Sequence, residues 1–174
     1  GAAREGDRTS SLQRKDFAMP VIRKLVPADL PRLRDHFHRL DSNDRYLRFG
    51  HCVAPEVAQR YLERVDWFGA ILLGAFEGGE LRGFVEVVPM SERFDRSAEL
   101  ALTVEKAWRG YGLGTELCRR ALVLACNRRI RQVAMICLTE NVPMQRIAAK
   151  LDGKVLSRDG DVDTSVRLPH PSPW

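Results

Sequence analysis

No stretch of this sequence approaches the roughly 18 uninterrupted apolar residues that a membrane-spanning helix needs. Its first residues are charged and polar and carry none of the apolar centre of a secretory leader. Cys52, Cys118, Cys126 and Cys137 show no C-x-x-C spacing, and no His/Cys/carboxylate spacing suggests a metal. A reduced, cytoplasmic setting without metal is therefore expected. Basic and aromatic residues do not interleave, and the arginines behind the net charge of +5 are scattered. Arg128, Arg129 and Arg131 close a predicted helix, where cations complement the dipole. Neither a membrane nor a specific nucleic-acid partner is expected. Internal repeats and low-complexity runs are absent as well.

What is present is an ordinary globular composition. The chain has 174 residues, 44% hydrophobic and 29% charged, enough for one domain with a proper core. Residues 1–18 read as a polar tail, 19–168 as the domain and 169–174 as a proline-rich tail. Val21–Val26 reads as a strand, and Pro27-Ala28-Asp29 opens a helix with Leu30, Leu33, Phe37 and Leu40 on one face. Asp41–His51 reads as a loop. Pro55–Val65 follows as a helix. Ala70–Glu77 and Leu81–Val88 form a hairpin around Gly78-Gly79-Glu80. Ala98–Glu105 is the fourth strand, Gly112–Asn127 the third helix and Val133–Leu138 the fifth strand. Asn141–Leu151 is the fourth helix, with Val155-Leu156 and Val162–Leu168 as closing strands.

The chain is organised around Arg109-Gly110-Tyr111-Gly112-Leu113-Gly114, between the fourth strand and the third helix. Three glycines at alternate positions let the backbone turn tightly. A helix start leaves N–H donors unpartnered at the positive end of the macrodipole. Together these make a receptor for a phosphate or pyrophosphate. The plainer alternative is a strand-to-helix turn eased by glycine. The spacing is not the G-x-G-x-x-G of a dinucleotide fold, and no Gly-Lys-Ser/Thr follows.

Two carboxylates interrupt apolar strands. Period-two geometry puts Glu99, Ala101 and Thr103 on one face of the fourth strand, with Leu100, Leu102 and Val104 on the other. A carboxylate there is costly to bury without a role or partner. Glu99 is either a general base or a surface acid paired with Arg93 or Arg96. Glu86, within Phe84-Val85-Glu86-Val87-Val88, is the second candidate base. His36, His38 and His51 read as solvated, and Cys118, Cys126 and Cys137 as small core residues.

The glycine loop resembles the Arg/Gln-x-x-Gly-x-Gly/Ala pyrophosphate loop of the GCN5-related N-acetyltransferases (GNAT). Asn141-Val142-Pro143-Met144 through Leu151-Asp152-Gly153 is similar to that family's second signature, an Asn that opens a helix ending at a glycine. The two occur in the family's order, and the resemblance spans about Pro20 to Leu168. It implies an α/β fold: a mixed, mostly antiparallel sheet of about six to seven strands flanked by about four helices. It implies acetyl-CoA as co-substrate, held by Leu102, Thr103, Val104, Arg109, Gly110, Tyr111, Gly112, Leu113, Gly114, Thr115, Asn141 and Met144. Backbone N–H groups of Tyr111–Thr115 would hold the pyrophosphate and Arg109 would add charge-assisted contacts.

Asp44-Arg45-Tyr46-Leu47-Arg48-Phe49 resembles the Ser-Arg-Tyr-Leu-Arg-Phe segment of bacterial protein lysine acetyltransferases. That makes a protein lysine the favoured amine acceptor and matches Glu99 to the strand glutamate of those enzymes. The segment otherwise reads as a connector whose Tyr46, Leu47 and Phe49 cap the core. Many family members carry a tyrosine in the last helix that can protonate the leaving thiolate. Counting seven residues from Asn141 gives Ala148 here. A small-amine acceptor, and a coenzyme-A-binding sensor without turnover, are the alternatives. A monomer or homodimer is expected.

Overall fold

The computed structural model describes residues 18–90, 96–158 and 160–169. The two expected tails fall almost wholly outside these residues, as does Arg93, one of the partners considered for Glu99. Seven strands form one sheet in the order β1-β2-β3-β4-β5-β7-β6. They are β1 Val21–Lys24, β2 Ile71–Glu77, β3 Glu80–Pro89, β4 Ser97–Val104, β5 Gln132–Leu138, β6 Lys154–Arg158 and β7 Asp161–Arg167. Every neighbouring pair is antiparallel except β4 and β5. Five α-helices flank the sheet: α1 Leu30–Arg39, α2 Ser42–Phe49, α3 Pro55–Glu63, α4 Leu113–Asn127 and α5 Val142–Lys150. Sheet and helices match the fold expected from the sequence, with one helix more.

That extra helix is α2, where the sequence suggested a loop. Its polar length hides a sound N-terminus. The Asp41 carboxylate accepts from the Asp44 N–H at 2.8 Å, and Gly50 ends the helix in the left-handed region at φ 75°. Eight residues are too few for a clear helical period, so tertiary contacts decide its form.

The sheet buries both faces, each by its own alternation. Leu100 and Val104 of β4, with Val85 and Val87 of β3, pack against Leu113, Leu117 and Ala121 of α4 and Met144 and Ala148 of α5. Phe84 and Leu81 of β3 and Leu72 of β2 pack on the opposite face against Leu33 and Phe37 of α1 and Ala58 and Leu62 of α3. Burial of these side chains, at about 25 cal/mol per Å², is the main favourable term. It fixes the register, because a one-residue slip would turn every side chain over.

β4 and β5 share only three rungs: Ser97–Gln132, Ala98–Val133 and Glu99–Ala134. Beyond Glu99 the parallel strands part. β4 continues beside β3 as far as Val104, while β5 stays with β7. The parting opens the sheet toward the glycine loop, and α4 and α5 start beside that opening.

Candidate active site

The opening holds a cleft of about 400 Å³. Leu102, Thr103 and Val104 of β4, Arg109, Gly110 and Gly112 of the loop, and Leu113, Gly114 and Thr115 of α4 line it. Asn141 and Met144 line it too, so eleven of the twelve residues expected to hold the coenzyme meet at one place. Tyr111 does not line it; its side chain is 40% exposed.

The loop's geometry suits an anion. Gly110 and Gly112 sit at φ 83° and 85°, where only glycine is comfortable, and a Cβ added at either meets nothing within 4 Å. Gly112 caps α4 without a side chain. The N–H groups of its first turn therefore face open space at the positive end of the dipole. Helices α2 and α5 differ: Asp41 and Asn141 fold their side chains onto the third helical N–H. Asn141 thus lines the cleft and also caps α5, its Oδ1 accepting from the Met144 N–H at 3.2 Å.

Gly114 plays a second part. A Cβ there would stand 3.0 Å from Ile147 Cδ1 and 3.1 Å from Leu102 Cδ2. It lines the cleft and is also the point where α4 closes on α5 and β4. Arg109 is also more engaged than expected. Its Nε donates to the Val104 carbonyl at 2.9 Å, and its Nη2 donates to Asp44 Oδ1 at 2.6 Å. The buried Asp44 thereby ties α2 to the loop.

Other lining residues were not among those expected to hold the coenzyme, although Leu47 and Arg48 belong to the segment the sequence singled out. Leu40, Leu47 and Arg48 form the wall on the α2 side, and Trp108 stands at the foot of the loop. Arg146 and Lys150, one turn apart on α5, add two cations. Their four-residue spacing behind Asn141 is the signal that could have found them.

Glu86 and Glu99 share a face but line no part of this cleft directly. Glu86 is buried, and its Oε1 accepts from Arg48 Nη2 at 2.5 Å. The same Nη2 donates to Tyr61 Oη at 2.8 Å, and the guanidinium lies over the Phe49 and Tyr61 rings. Burial pushes the Glu86 carboxyl above its ordinary value, the Arg48 charge opposes this, and the Glu99 charge adds to it. Glu99 is exposed and stands on the last rung that β4 shares with β5, where the sheet begins to open. It has no hydrogen-bond or ion-pair partner among the described residues. Arg96, considered as a partner, makes no ion pair with it.

His36 corrects the sequence reading. Expected in solvent, it is 0% exposed. Its Nδ1 lies 3.1 Å from Glu105 Oε1 and its Nε2 lies 2.8 Å from Thr103 Oγ1. Glu105 also accepts from Arg39 Nε at 2.6 Å and Arg82 Nη1 at 3.2 Å. Burial works against the Glu105 charge, but the hydrogen bonds from His36 and Arg39 outweigh it and hold the carboxyl at about 2. Burial lowers the His36 pKa, with Glu105 opposing. A neutral ring that donates from Nδ1 to Glu105 accepts at Nε2 from the Thr103 hydroxyl. The network thus fixes the cleft end of β4 onto α1. His38 and His51 are exposed, as expected. Cys118 and Cys137 are buried and Cys126 half-buried; burial pushes the Cys118 thiol up to about 12, far from a nucleophile's range. Among the described residues no group of His, Cys, Asp and Glu could hold a metal ion. None of their helices is long and apolar enough to cross a membrane.

A family model for the acetyltransferase (GNAT) domain matches residues 21–154. The GNAT domain of PAT from S. lividans is similar in structure: 22% identical, TM-score 0.80, covering 89% of this chain and 93% of that one. A ribosomal-protein-alanine N-acetyltransferase from Brucella melitensis is 19% identical at a TM-score of 0.67, over 85% of this chain and 99% of its own. The yncA protein of Salmonella typhimurium, solved with its cofactor acetyl-CoA, is 18% identical at a TM-score of 0.67, over 91% and 99%. At these identities the neighbours establish the fold.

Proposed function

The chain belongs to the GNAT acetyltransferase family, and from that membership we propose that it moves an acetyl group from acetyl-CoA to a protein lysine, with Glu99 taking the proton. Acetyltransferase activity with acetyl-CoA as co-substrate goes with the family. The acceptor and the residue roles are the proposal.

The observation that carries it is the wedge between β4 and β5, with an anion receptor at its mouth and an unpaired carboxylate where the strands part. The residues fit the coenzyme's chemistry. The bare N-terminus of α4 and the cations Arg109, Arg146 and Lys150 suit a pyrophosphate. The apolar walls Leu102, Leu113, Met144 and Ile147 suit the pantetheine arm.

A free lysine amine has a pKa near 10.4, so at neutral pH it arrives as ammonium. Glu99 accepts a proton from it, directly or through water. The neutral nitrogen attacks the thioester carbonyl carbon, the C–S bond breaks, the thiolate leaves, and the nitrogen gives up its second proton to water. Ala148 is buried beneath the cleft and offers no acid, so water protonates the thiolate. Glu86 is less suited to the task because Arg48 already holds its carboxylate. The likeness of Asp44–Phe49 to the bacterial protein lysine acetyltransferases supports the protein acceptor. Four free thiols agree with a reduced cytoplasmic setting.

Thiol release from acetyl-CoA, measured with lysine-containing proteins, lysine peptides and small amines, tests this reading. Release that depends on protein or peptide lysine is expected. Release only with small amines would move the acceptor class. Tight acetyl-CoA binding with no transfer to any amine would leave a coenzyme sensor instead.

A further inference from the structure

The end of the domain away from the cleft carries a second surface. β2, β4 and β5 begin there, and β3 and α4 end there. The 15 residues of α4, at about 1.5 Å each, set it roughly 22 Å from the glycine loop. Arg64 follows α3, Arg96 precedes β4, and Arg128 and Arg129 follow α4; all four are exposed. Two hydrogen bonds tie some of these segments together. Arg128 Nη1 donates to the Gly69 carbonyl at 2.9 Å, and the Arg131 N–H donates to the Arg96 carbonyl at 2.7 Å. None of the four forms an ion pair among the described residues. Of the nearby acids among the described residues, Glu63 and Asp66 are exposed, and Asp66 Oδ1 already accepts from the Phe68 and Gly69 N–H groups. That turn leaves Phe68 86% exposed, with Met90 55% exposed on the end of β3.

Two of these arginines occupy left-handed backbone, Arg96 at φ 43° and Arg129 at φ 63°. Arg129 stands where a helix is most often closed by glycine: its N–H reaches the Cys126 carbonyl at 2.9 Å and the Ile130 N–H reaches the Ala125 carbonyl at 3.0 Å. In the phosphate loop such conformations belong to Gly110 and Gly112. Here a long cationic side chain stands where glycine would be easier.

We propose that this end of the domain docks single-stranded nucleic acid, with Arg64, Arg96, Arg128 and Arg129 on its phosphates and Phe68 stacked on a base. Arginine forks match phosphate oxygens, and a projecting phenyl ring accepts any base, so the recognition is tolerant of sequence. An acidic peptide would use the charges and leave Phe68 idle. A bilayer would need a broader apolar face than Phe68 and Met90 provide.

The test is fluorescence anisotropy of a labelled single-stranded RNA of about 12 nucleotides with the full chain. Micromolar binding at low salt is expected, weakening with salt at a logarithmic slope near 3 for four phosphate contacts. Phe68→Ala weakens binding about tenfold. Arg96→Gly with Arg129→Gly also weakens it about tenfold, while the thermal midpoint holds or rises because glycine relieves the backbone. Thiol release from acetyl-CoA stays at the parent level in both variants. The proposal is overturned if RNA does not bind at low salt, or if the variants bind like the parent. It is overturned equally if polyglutamate or phosphatidylserine vesicles bind more tightly than RNA. A midpoint that drops sharply in the glycine variant would show that the arginines serve stability, and would overturn it too.

Discussion

Glu86 and Glu99 stand on adjacent strands and one face of the sheet, yet their surroundings set them apart. Around Glu86 the floor is closed: Phe84 and Leu62 are fully buried nearby, and Arg48 supplies the compensating charge and hydrogen bond. Around Glu99 the sheet is parting and open to water. The first carboxylate braces α2 against the sheet; the second stands exposed, without a partner among the described residues. Residue type and strand position are nearly the same, so partner and burial decide the role.

Breaking the open half of this pair has the largest expected effect. Glu99→Gln keeps the shape and removes the base, and turnover at neutral pH falls about 10²- to 10⁴-fold with acetyl-CoA affinity nearly unchanged. Equal turnover by parent and variant would refute it as base. Breaking the closed half acts on stability. Glu86→Gln leaves Arg48 buried without its counter-charge, and urea unfolding should show a loss of about 3 kcal/mol. A fully stable Glu86→Gln protein with crippled turnover would exchange the two roles.

The coenzyme side offers a control that touches neither carboxylate. Gly112→Val forces a branched residue to φ 85° and fills the open space beside the loop, where a bound pyrophosphate would sit on the proposed reading. Calorimetry should show acetyl-CoA affinity down about 10- to 100-fold in a folded protein. Gly114→Val is expected to behave differently, because its side chain meets Ile147 and Leu102; stability falls along with affinity.

The smallest effect extends the closed half of the comparison to its neighbour. His36 has a folded-state pKa below the ordinary 6.5, so the stability it lends is present above that pH and lost as pH falls below it. Glu105, held at about 2 against 4.5, loses its share only between those values. Thermal midpoints measured from pH 8 to 5 should fall on the acid side. His36→Gln should start about 1–2 kcal/mol less stable at pH 8 and show a flatter acid limb. An unchanged slope would mean that His36 does not titrate with folding.

The fold was legible because its strands carry clean apolar alternation and its two signatures, at Arg109–Gly114 and Asn141–Gly153, keep their order. Part of the cleft's lining was legible because Arg109, Gly110, Gly112, Leu113, Gly114, Asn141 and Met144 lie in those signatures; the α2 side of its wall comes from a distant part of the chain. Helix α2 was not, since its form rests on the Asp41 cap and on the Arg48 and Asp44 contacts across the fold. His36 looked solvated because its partners, Thr103 and Glu105, lie more than sixty residues away in the chain. Gly114 looked like Gly112 for the same reason: only tertiary packing separates a glycine at a helix contact from one beside open space.

The central claim is that Glu99 removes the amine's proton where β4 and β5 part. The pH dependence of turnover for parent and Glu99→Gln, each saturated with acetyl-CoA, tests it most directly. The ratio of the two rates should shrink from about 10²-fold or more near pH 7 toward unity near pH 10, where the lysine arrives already neutral. A ratio that stays constant over that range would contradict the claim and leave Glu99 a positioning group.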